Sequence, residues 1–297
     1  MNFIDLRAQY RAYKDEIDTS IHAVLDTSHY IMGQKLSDFE TNLATFSGAK
    51  HAIGCSSGTS ALILALLALD IKAGDEVITT PFTFIATAEM IAFMGAKPVF
   101  VDIDERTYNI DASKIEEKIT TRTKAIMPVS LFGQCADMDE IAKIASKHNI
   151  AVIEDGAQSF GALYKGKRSC NLSVIGCTSC FPAKQLGCYG DGGAVFTSDY
   201  ELAKKIRILL NHGQTKRYIH KYIGFNGRLD AIQAAVLDVK LKYFNAELAK
   251  RQIIAKNYNE KLENVITPFI ENGNESAWAQ YCIRVKNRQK VLEICAK

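Results

Sequence analysis

Short apolar runs alternate with segments of helical periodicity through most of the chain. The apolar runs contain four to seven residues, a length typical of buried strands, whereas helices need about ten or more. The helical segments cover residues 60–69, 86–94, 138–148 and 201–210, and the apolar runs cover residues 51–55, 76–79, 98–101, 125–129, 151–154, 174–180 and 194–197. This alternation predicts an α/β fold with a seven-stranded, mostly parallel sheet that is covered by helices.

Further helices are predicted on either side of this region. Residues 7–27 carry an apolar stripe at helical spacing, and residues 36–46 form a second helix that ends at Gly48. A long helical stretch runs from Arg228 to about Leu262 and is expected to bend near residues 244–245.

The last part of the chain is too short for a complete domain. After the long helical stretch it contains one predicted strand, residues 280–285, and one predicted helix, residues 288–296. We therefore expect a large domain over residues 1–240, then a linking helix and an incomplete small C-terminal domain over residues 241–297.

Composition excludes several kinds of partner. The chain has 297 residues, 47% of them hydrophobic, with 36 basic and 33 acidic side chains. This near balance argues against nucleic acid or a membrane surface as the main partner. No charged-then-apolar leader is recognisable, and no apolar run reaches the ~18 residues of a membrane span. We expect a cytoplasmic protein.

Eight cysteines and six histidines raise the question of a metal site. Cys177 and Cys180 form a C-x-x-C, but residues three apart on a strand point to opposite faces, and no second such pair is present. The histidines are scattered and form no H-E-x-x-H. We expect buried, reduced thiols and no metal.

Lys184 is the first candidate for chemistry. It lies in a loop rich in Gly, Pro and Asp, between the apolar runs 174–180 and 194–197. A lysine that becomes buried loses its proton more easily, and the neutral amine forms Schiff bases with carbonyl compounds and with pyridoxal 5'-phosphate (PLP). The ordinary alternative is an exposed lysine in a surface loop.

Two further motifs complete a possible cofactor site. Residues 55–60 read Cys-Ser-Ser-Gly-Thr-Ser between a strand and a helix, where free backbone amides favour a phosphate; a simple N-cap is the alternative. Asp155 follows another buried strand, where its carboxylate could face a pyridine nitrogen; a turn-forming Asp before Gly is the alternative. Phe84 could stack on a flat ring, although a core Phe is the default. Together, a phosphate cup, a pyridinium partner and a Schiff-base lysine are what PLP requires.

The sequence carries a family resemblance along nearly its whole length, from Phe3 to the end. It resembles the DegT/DnrJ/EryC1/StrS sugar aminotransferases in the segments GCSSGTSAL, TTPFTFIATAE, PVSLFGQCADMDEI, VIEDGAQSFGA, CFPAKQLGCYGDGGAVFT and NHGQTKRYIHKYIGFNGRLDAIQAA. Within the family, the run KGKRSCNLS…FPAKQLGCYGDGGA looks closest to members that aminate UDP-2-acetamido-2-deoxy-3-oxo-glucuronate in surface-polysaccharide pathways.

The resemblance implies a PLP-dependent transferase of fold type I that acts as a homodimer with shared active sites, with glutamate as the amino donor and a keto sugar nucleotide as the acceptor. Lys184 would form the Schiff base with the cofactor, and a histidine there would mark the related dehydratases. The other implied roles are pyridinium partner for Asp155, contact to the ring face or to the ring hydroxyl for Gln158, phosphate contacts for Gly58, Thr59 and Ser179, phosphate contact from the neighbouring subunit for Asn226, and substrate-carboxylate contact for Arg228.

Three alternatives stay open at this point. One is amination at C4 of a UDP- or dTDP-4-keto-6-deoxy sugar, because similar frameworks serve both carbons. The second is an inactive remnant of the fold, because family members usually continue beyond the position of Lys297. The third, a nicotinamide-dependent oxidoreductase, lacks the glycine fingerprint and the acidic residue about 20 positions further on.

Overall fold

The computed structural model describes residues 5–296. Residues 1–4 and Lys297 lie outside the described residues. They include the outer ends of the two predicted domains and of the family resemblance. The α-helices described are α1 (Leu6–Ala12), α2 (Lys14–Thr27), α3 (Gln34–Ser47), α4 (Gly58–Ala68), α5 (Ile85–Phe93), α6 (Met138–His148), α7 (Tyr200–Leu209), α8 (Ala231–Lys261) and α9 (Arg288–Cys295).

The strands include all seven that the apolar runs predict, displaced by at most three residues at either end. They are β1 (His51–Cys55), β2 (Glu76–Thr79), β3 (Lys97–Phe100), β4 (Thr123–Ile126), β5 (Ala151–Asp155), β6 (Leu163–Tyr164), β7 (Lys167–Arg168), β8 (Ile175–Ser179), β9 (Gly193–Thr197), β10 (Gln214–Lys216), β11 (Ile219–His220) and β12 (Asn274–Glu275).

The seven predicted strands form one sheet in the order β1-β9-β8-β5-β4-β2-β3. Strand β9 is antiparallel to both of its neighbours, β1 and β8, and the other pairs are parallel. The prediction of a mostly parallel seven-stranded sheet is therefore confirmed. Because β1, β5 and β8 run in the same direction, their carboxyl ends lie at one edge of the sheet.

Helices cover both faces of this sheet, and alternation along the strands divides the core in two. On one face Ile53 and Val77 pack in a cluster with apolar residues of α4, α5 and α7. On the other face Ala52 and Ile78 pack in a cluster with residues of α3, α6 and α8. Successive strand residues point to opposite faces, so each strand contributes to both clusters. Such double cover explains why the predicted strands are continuous apolar runs.

The N-terminal helical pattern forms two helices rather than the single one that the periodicity indicates. The chain breaks at Tyr13, which caps both α1 and α2. The ring of Tyr13 stacks on that of Tyr243 with centroids 4.2 Å apart, and its hydroxyl donates to Glu247 at 3.0 Å. The break therefore coincides with the residue that attaches this segment to α8.

Helix α8 begins later than the pattern predicts. Arg228 pairs with Cys55 and Asp230 pairs with Ile31 in isolated antiparallel bridges, so the helix starts only at Ala231. It then continues as an unbroken helix through residues 244–245 to Lys261. Near its far end the guanidinium of Arg251 donates to the Trp278 carbonyl at 2.9 Å, so this end of α8 is attached to the C-terminal segment.

The prediction of a strand over residues 280–285 is wrong. In this segment only Arg284 pairs with another stretch, forming a single antiparallel bridge with Ile266. An apolar alternation becomes a strand only when a neighbour supplies a ladder of backbone partners, and here the neighbour supplies one residue. The predicted C-terminal helix is confirmed as α9.

The C-terminal segment is attached to the main body by backbone contacts. Strand β12 pairs with β6, and the Ala277 amide donates to the Gly133 carbonyl at 2.8 Å. Gly133 has φ +106°, and a Cβ there would lie 2.7 Å from the Trp278 nitrogen, so only glycine fits this contact. The division into two domains stays a prediction. None of the described helices has both the length and the apolar character needed to cross a bilayer.

The thiols are distributed as strand geometry predicts. Cys177 and Cys180 pack in the two different core clusters, on opposite faces of the sheet. Cys177 donates from its Sγ to the Ala61 carbonyl at 3.3 Å. Within residues 5–296, no three His, Cys, Asp or Glu side chains come together as a metal site.

Candidate active site

A cavity of about 370 Å³ lies at the sheet edge where β1, β5 and β8 end. Seven of the residues that the sequence singles out line it together: Gly58, Thr59, Phe84, Asp155, Gln158, Ser179 and Lys184. Larger clefts of about 510 and 540 Å³ lie elsewhere, and neither is lined by any of the predicted residues. Carboxyl ends of parallel strands are where ligands bind in such sheets.

The end of β1 and the start of α4 form a cup for an anion. Ser57 caps the helix by accepting from the Ser60 amide at 3.0 Å, and its carbonyl accepts from the Ala61 amide at 3.0 Å. Helix geometry leaves the amides of Gly58 and Thr59 without an intrahelical acceptor. These donors at the positive end of the helix dipole suit a phosphate.

Gly58 must be small for this cup to close. A Cβ at Gly58 would lie 2.7 Å from the Cβ of Ser179, because the start of α4 packs directly against the end of β8. Residues from two separate motifs thus line the same cavity, and their role in binding a phosphate stays a prediction.

Asp155 supplies a buried carboxylate on the opposite side of the cavity. It is 4% exposed, and burial raises its pKa above the ordinary value. The Thr87 hydroxyl donates to Oδ2 at 2.8 Å and the Ala157 amide donates to Oδ1 at 3.2 Å, and both lower the pKa. A carboxylate held in this way fits a protonated ring nitrogen, since the added cation would offset the cost of burial.

Lys184 projects into the same cavity. Its Nζ donates to Oε1 of Gln158 at 2.9 Å. Burial lowers the pKa of the Lys184 amine, and the charge of Asp155 acts in the opposite direction. Desolvation is the larger effect, so the site favours the neutral, nucleophilic form of the amine more than water does.

Contacts within the loop fix the position of Lys184. Its amide donates to the Phe181 carbonyl at 2.8 Å, which closes a turn around the lysine. The side-chain amide of Gln185 donates to the Gln158 carbonyl. The turn that carries Gln158 is therefore bound both to the amine of Lys184 and to the next residue, Gln185.

Helix α8 supports the loop from the other side of the sheet edge. Lys240 is 2% exposed, and its Nζ donates to the Gly187 carbonyl at 2.6 Å and lies 4.4 Å from the centre of the Tyr189 ring. Burial lowers the pKa of Lys240 to about 8. Two turns earlier, Gln233 accepts from the Tyr189 amide at 2.8 Å. Two residues on one face of α8 thus hold the second half of the loop.

Three predicted residues are placed at or beyond the edge of this cavity. Phe84 is 70% exposed at the cavity lining, so it is not the core phenylalanine of the alternative interpretation. Asn226 is exposed, and Arg228 donates to Oδ1 of Asn211 at 2.6 Å while its Nε is buried without a hydrogen-bond partner. A single chain brings neither Asn226 nor Arg228 to the cavity lining, and their role across a subunit boundary stays a prediction.

Thr87, Gln185 and Lys240 are the functional candidates that the sequence does not reveal. Thr87 lies one helical turn after Thr83, but this spacing alone does not indicate a contact with Asp155. Gln185 adjoins Lys184 and gives no separate signal. In the sequence Lys240 looks like a solvated helix lysine. Its seven-residue spacing from Gln233 becomes meaningful only when the structure shows that the loop carrying Lys184 packs against this face of α8.

A half-buried lysine and a buried carboxylate that share a cavity with an anion cup, at the carboxyl edge of a covered sheet, are typical of an α/β group-transfer enzyme. The chain belongs to the DegT/DnrJ/EryC1/StrS aminotransferase family, whose profile matches residues 11–297. The family and the fold predicted from the sequence are therefore confirmed, whereas the roles of individual residues stay predictions.

The similar proteins include both sequence relatives and solved structures. The UDP-2-acetamido-2-deoxy-3-oxo-D-glucuronate aminotransferase of Pseudomonas aeruginosa is 56% identical over 293 residues, which cover 98% of this chain and 82% of that protein. A crystal structure of DesV from S. venezuelae in complex with a ketimine intermediate has a TM-score of 0.96 and 37% identity, covering 99% of this chain and 80% of that one. The structure of NtdA from Bacillus subtilis with bound cofactor PMP has a TM-score of 0.92 and 32% identity, covering 100% and 69%.

Proposed function

We propose that this protein is a PLP-dependent aminotransferase that moves an amino group from glutamate to a keto sugar nucleotide. The observation that carries the proposal is the convergence of Lys184, Asp155 and the Gly58–Ser179 contact on one cavity in a chain of this family. The donor set fits the cofactor at each end, with an anion cup for the phosphate and a buried carboxylate for the ring nitrogen.

Bound PLP supplies an electron sink and a carbonyl carbon that can hold and release an amino group. The amides of Gly58 and Thr59 and the hydroxyl of Ser179 would hold its phosphate. Asp155 would hold the ring nitrogen in its protonated form. Phe84, exposed at the cavity lining, and Gln158 would contact the ring.

Lys184 has two roles in this proposal. Its neutral amine would attach the cofactor covalently, and when the donor amine takes that place, the freed lysine nitrogen would accept and return the proton of the substrate. Gln158 accepts one N–H of the amine, which restricts the directions in which the nitrogen lone pair can point. Burial lowers the pKa of the amine, which favours the neutral form that both roles require.

The acceptor that we propose is UDP-2-acetamido-2-deoxy-3-oxo-glucuronate, aminated at C3, for surface-polysaccharide or O-antigen synthesis in the cytoplasm. It rests on the relative that is 56% identical. Arg228 would meet the substrate carboxylate. We also propose a homodimer in which the segment of residues 211–228, including the β10–β11 hairpin, reaches the partner's site and Asn226 contacts the phosphate there.

The cofactor assignment is tested by reducing the loaded protein with borohydride and mapping the peptides by mass. We expect the pyridoxyl adduct on Lys184, and Lys184→Ala should lose the visible absorbance band of the bound cofactor. The matched control is Lys165→Ala, which removes an exposed lysine of the same chain. An adduct on another lysine would overturn the assignment.

The acceptor is tested by single-turnover amination with glutamate-loaded enzyme. We expect the 3-oxo-glucuronate nucleotide to be aminated at C3 much faster than a dTDP- or UDP-4-keto-6-deoxy sugar at C4. The reverse preference would favour the C4 alternative, and a loaded enzyme inert to both and to glutamate would favour an inactive remnant.

The shared-site model is tested by mixing two inactive variants. Lys184→Ala and the double variant Asn226→Ala, Arg228→Ala should regain activity in heterodimers, because one of the two sites is then intact. Heterodimers that form but stay inactive would place these residues within their own site.

A further inference from the structure

Thr87 touches the candidate site through Asp155. It lies in the first turn of α5, is 1% exposed, and its Oγ1 is 2.8 Å from Oδ2 of Asp155. The hydroxyl of Thr83 is 3.0 Å from that of Thr87. Both threonines line the cavity.

The direction of these hydrogen bonds follows from the chemistry of the groups. An ionised carboxylate only accepts, so the one hydroxyl proton of Thr87 must point to Asp155. The Thr83 hydroxyl must then donate to Thr87. The two threonines form a chain of donors that ends on Oδ2, and the ionised form of Asp155 requires this order.

Other groups around Asp155 divide into those that favour its charge and those that do not. Lys184 faces it across the cavity, and its charged form favours the carboxylate. Glu154 precedes it on β5 and Cys177 lies beside it on β8, and burial raises the pKa of both, so neither readily becomes an anion there. Lys184 must itself become neutral to react. The Thr87 hydroxyl and the Ala157 amide are therefore the donors to Asp155 whose charge state does not change during the reaction.

We propose that Thr87 is a positioning residue that keeps Asp155 ionised and holds its carboxylate in place, an inference that rests on the proposed function. Loss of the hydroxyl leaves the buried carboxylate with one protein donor instead of two. Protonation of Asp155 then becomes easier, and a protonated carboxyl cannot support the ring nitrogen as an anion does.

The experiment compares Thr87→Val, which keeps the shape and removes the hydroxyl, with Thr87→Ser, which restores it. The matched control is Thr79→Val, because Thr79 is also buried and its hydroxyl also donates one hydrogen bond, to the Met127 carbonyl at 2.8 Å. Thr87→Ala serves as a second hydroxyl-free variant if valine prevents folding.

Two readouts separate this role from a general loss of stability. The first is carbon NMR of labelled aspartates in the cofactor-free protein, with the Asp155 signal assigned from its loss in Asp155→Asn. The pH at the midpoint of the Asp155 titration should rise by about one unit in Thr87→Val, a tenfold change in the ionisation constant. In PLP titrations, the same variant should lose affinity most at the acidic end of the range. Thr87→Ser and Thr79→Val should titrate like the wild type.

An unchanged Asp155 midpoint in the variants without the hydroxyl would overturn the proposal, as would a midpoint that serine fails to restore. A wild-type protein that binds no PLP would instead refute the proposed function. The NMR titration needs no cofactor, so it would still decide whether Thr87 controls the charge of Asp155.

Discussion

Gly58→Ala is the most direct test of the phosphate cup, because the structure specifies what the added methyl group meets. It would lie 2.7 Å from the Ser179 Cβ and 3.2 Å from the Ser179 Oγ, whereas ordinary contacts begin at 3.4 Å. The start of α4 and the end of β8 must therefore separate by about 0.7 Å. A phosphate bridging them at ~2.9 Å would lose at least one hydrogen bond, since contacts near 3.6 Å no longer count as such.

The expected size of the effect follows from that separation. One hydrogen bond to a charged group contributes about 1.5–3 kcal/mol, so PLP affinity should fall by about 10- to 150-fold. Overpacking should also lower the free energy of unfolding by about 1–3 kcal/mol. Helix propensity acts in the opposite direction, favouring alanine over glycine by up to about 1 kcal/mol.

The assay is equilibrium dialysis of PLP against the cofactor-free variant, together with urea denaturation. Gly54→Ala is the matched control, because its methyl group would lie 3.0 Å from the side chains of Leu229 and Leu36, away from the cavity lining. It should lose stability and keep its PLP affinity. A Gly58→Ala protein that is as stable as the wild type and binds PLP normally would refute the close approach of α4 and β8.

Three further predictions concern buried charges. Asp155→Asn should retain part of its PLP affinity but lose most amino transfer, because an amide cannot hold the ring nitrogen protonated; near-normal single-turnover rates with glutamate would contradict the role. The pKa of Lys240 is lowered from 10.5 to about 8, so the stability that its neutral form provides is lost as pH falls through this window. Lys240→Met should therefore lower the free energy of unfolding less at pH 7 than at pH 10, as measured by urea denaturation. An equal loss at both pH values would contradict the assigned burial. Burial raises the pKa of Glu154, which is 0% exposed, so the stability that its protonated form provides is lost as pH rises through the folded pKa. Glu154→Gln should therefore raise the melting temperature more at pH 8 than near pH 4.5, and a loss at pH 8 would show that the ionised carboxylate is stabilising.

Much of the fold and most of the cavity could be predicted from local patterns. Seven apolar runs identify seven strands because both faces of the sheet are covered, and parallel strands bring their carboxyl ends to one edge. Residues 55–60, Asp155 and Lys184 each follow such a strand, so the sequence places them together without any knowledge of contacts.

The contacts that could not be predicted depend on partners distant in the chain. Thr87 meets Asp155 across 68 positions, and Lys240 meets Gly187 across 53. The segment 280–285 has a strand pattern but only one pairing partner, and Tyr13 interrupts a helical pattern where it stacks on Tyr243. Local periodicity contains no information about any of these neighbours.

Helix α8 constrains how the length of this chain can vary. Its 31 residues span about 46 Å and contact the lysine loop through Gln233 and Lys240 and the C-terminal segment through Arg251. One residue inserted between Lys240 and Arg251 would turn the far half of the helix by about 100° and carry Arg251 away from Trp278. Among natural variants, changes in length should therefore be absent from the middle of α8 and should accumulate in loops between elements, so that α8 sets a fixed spacing between the loop that carries Lys184 and the C-terminal segment.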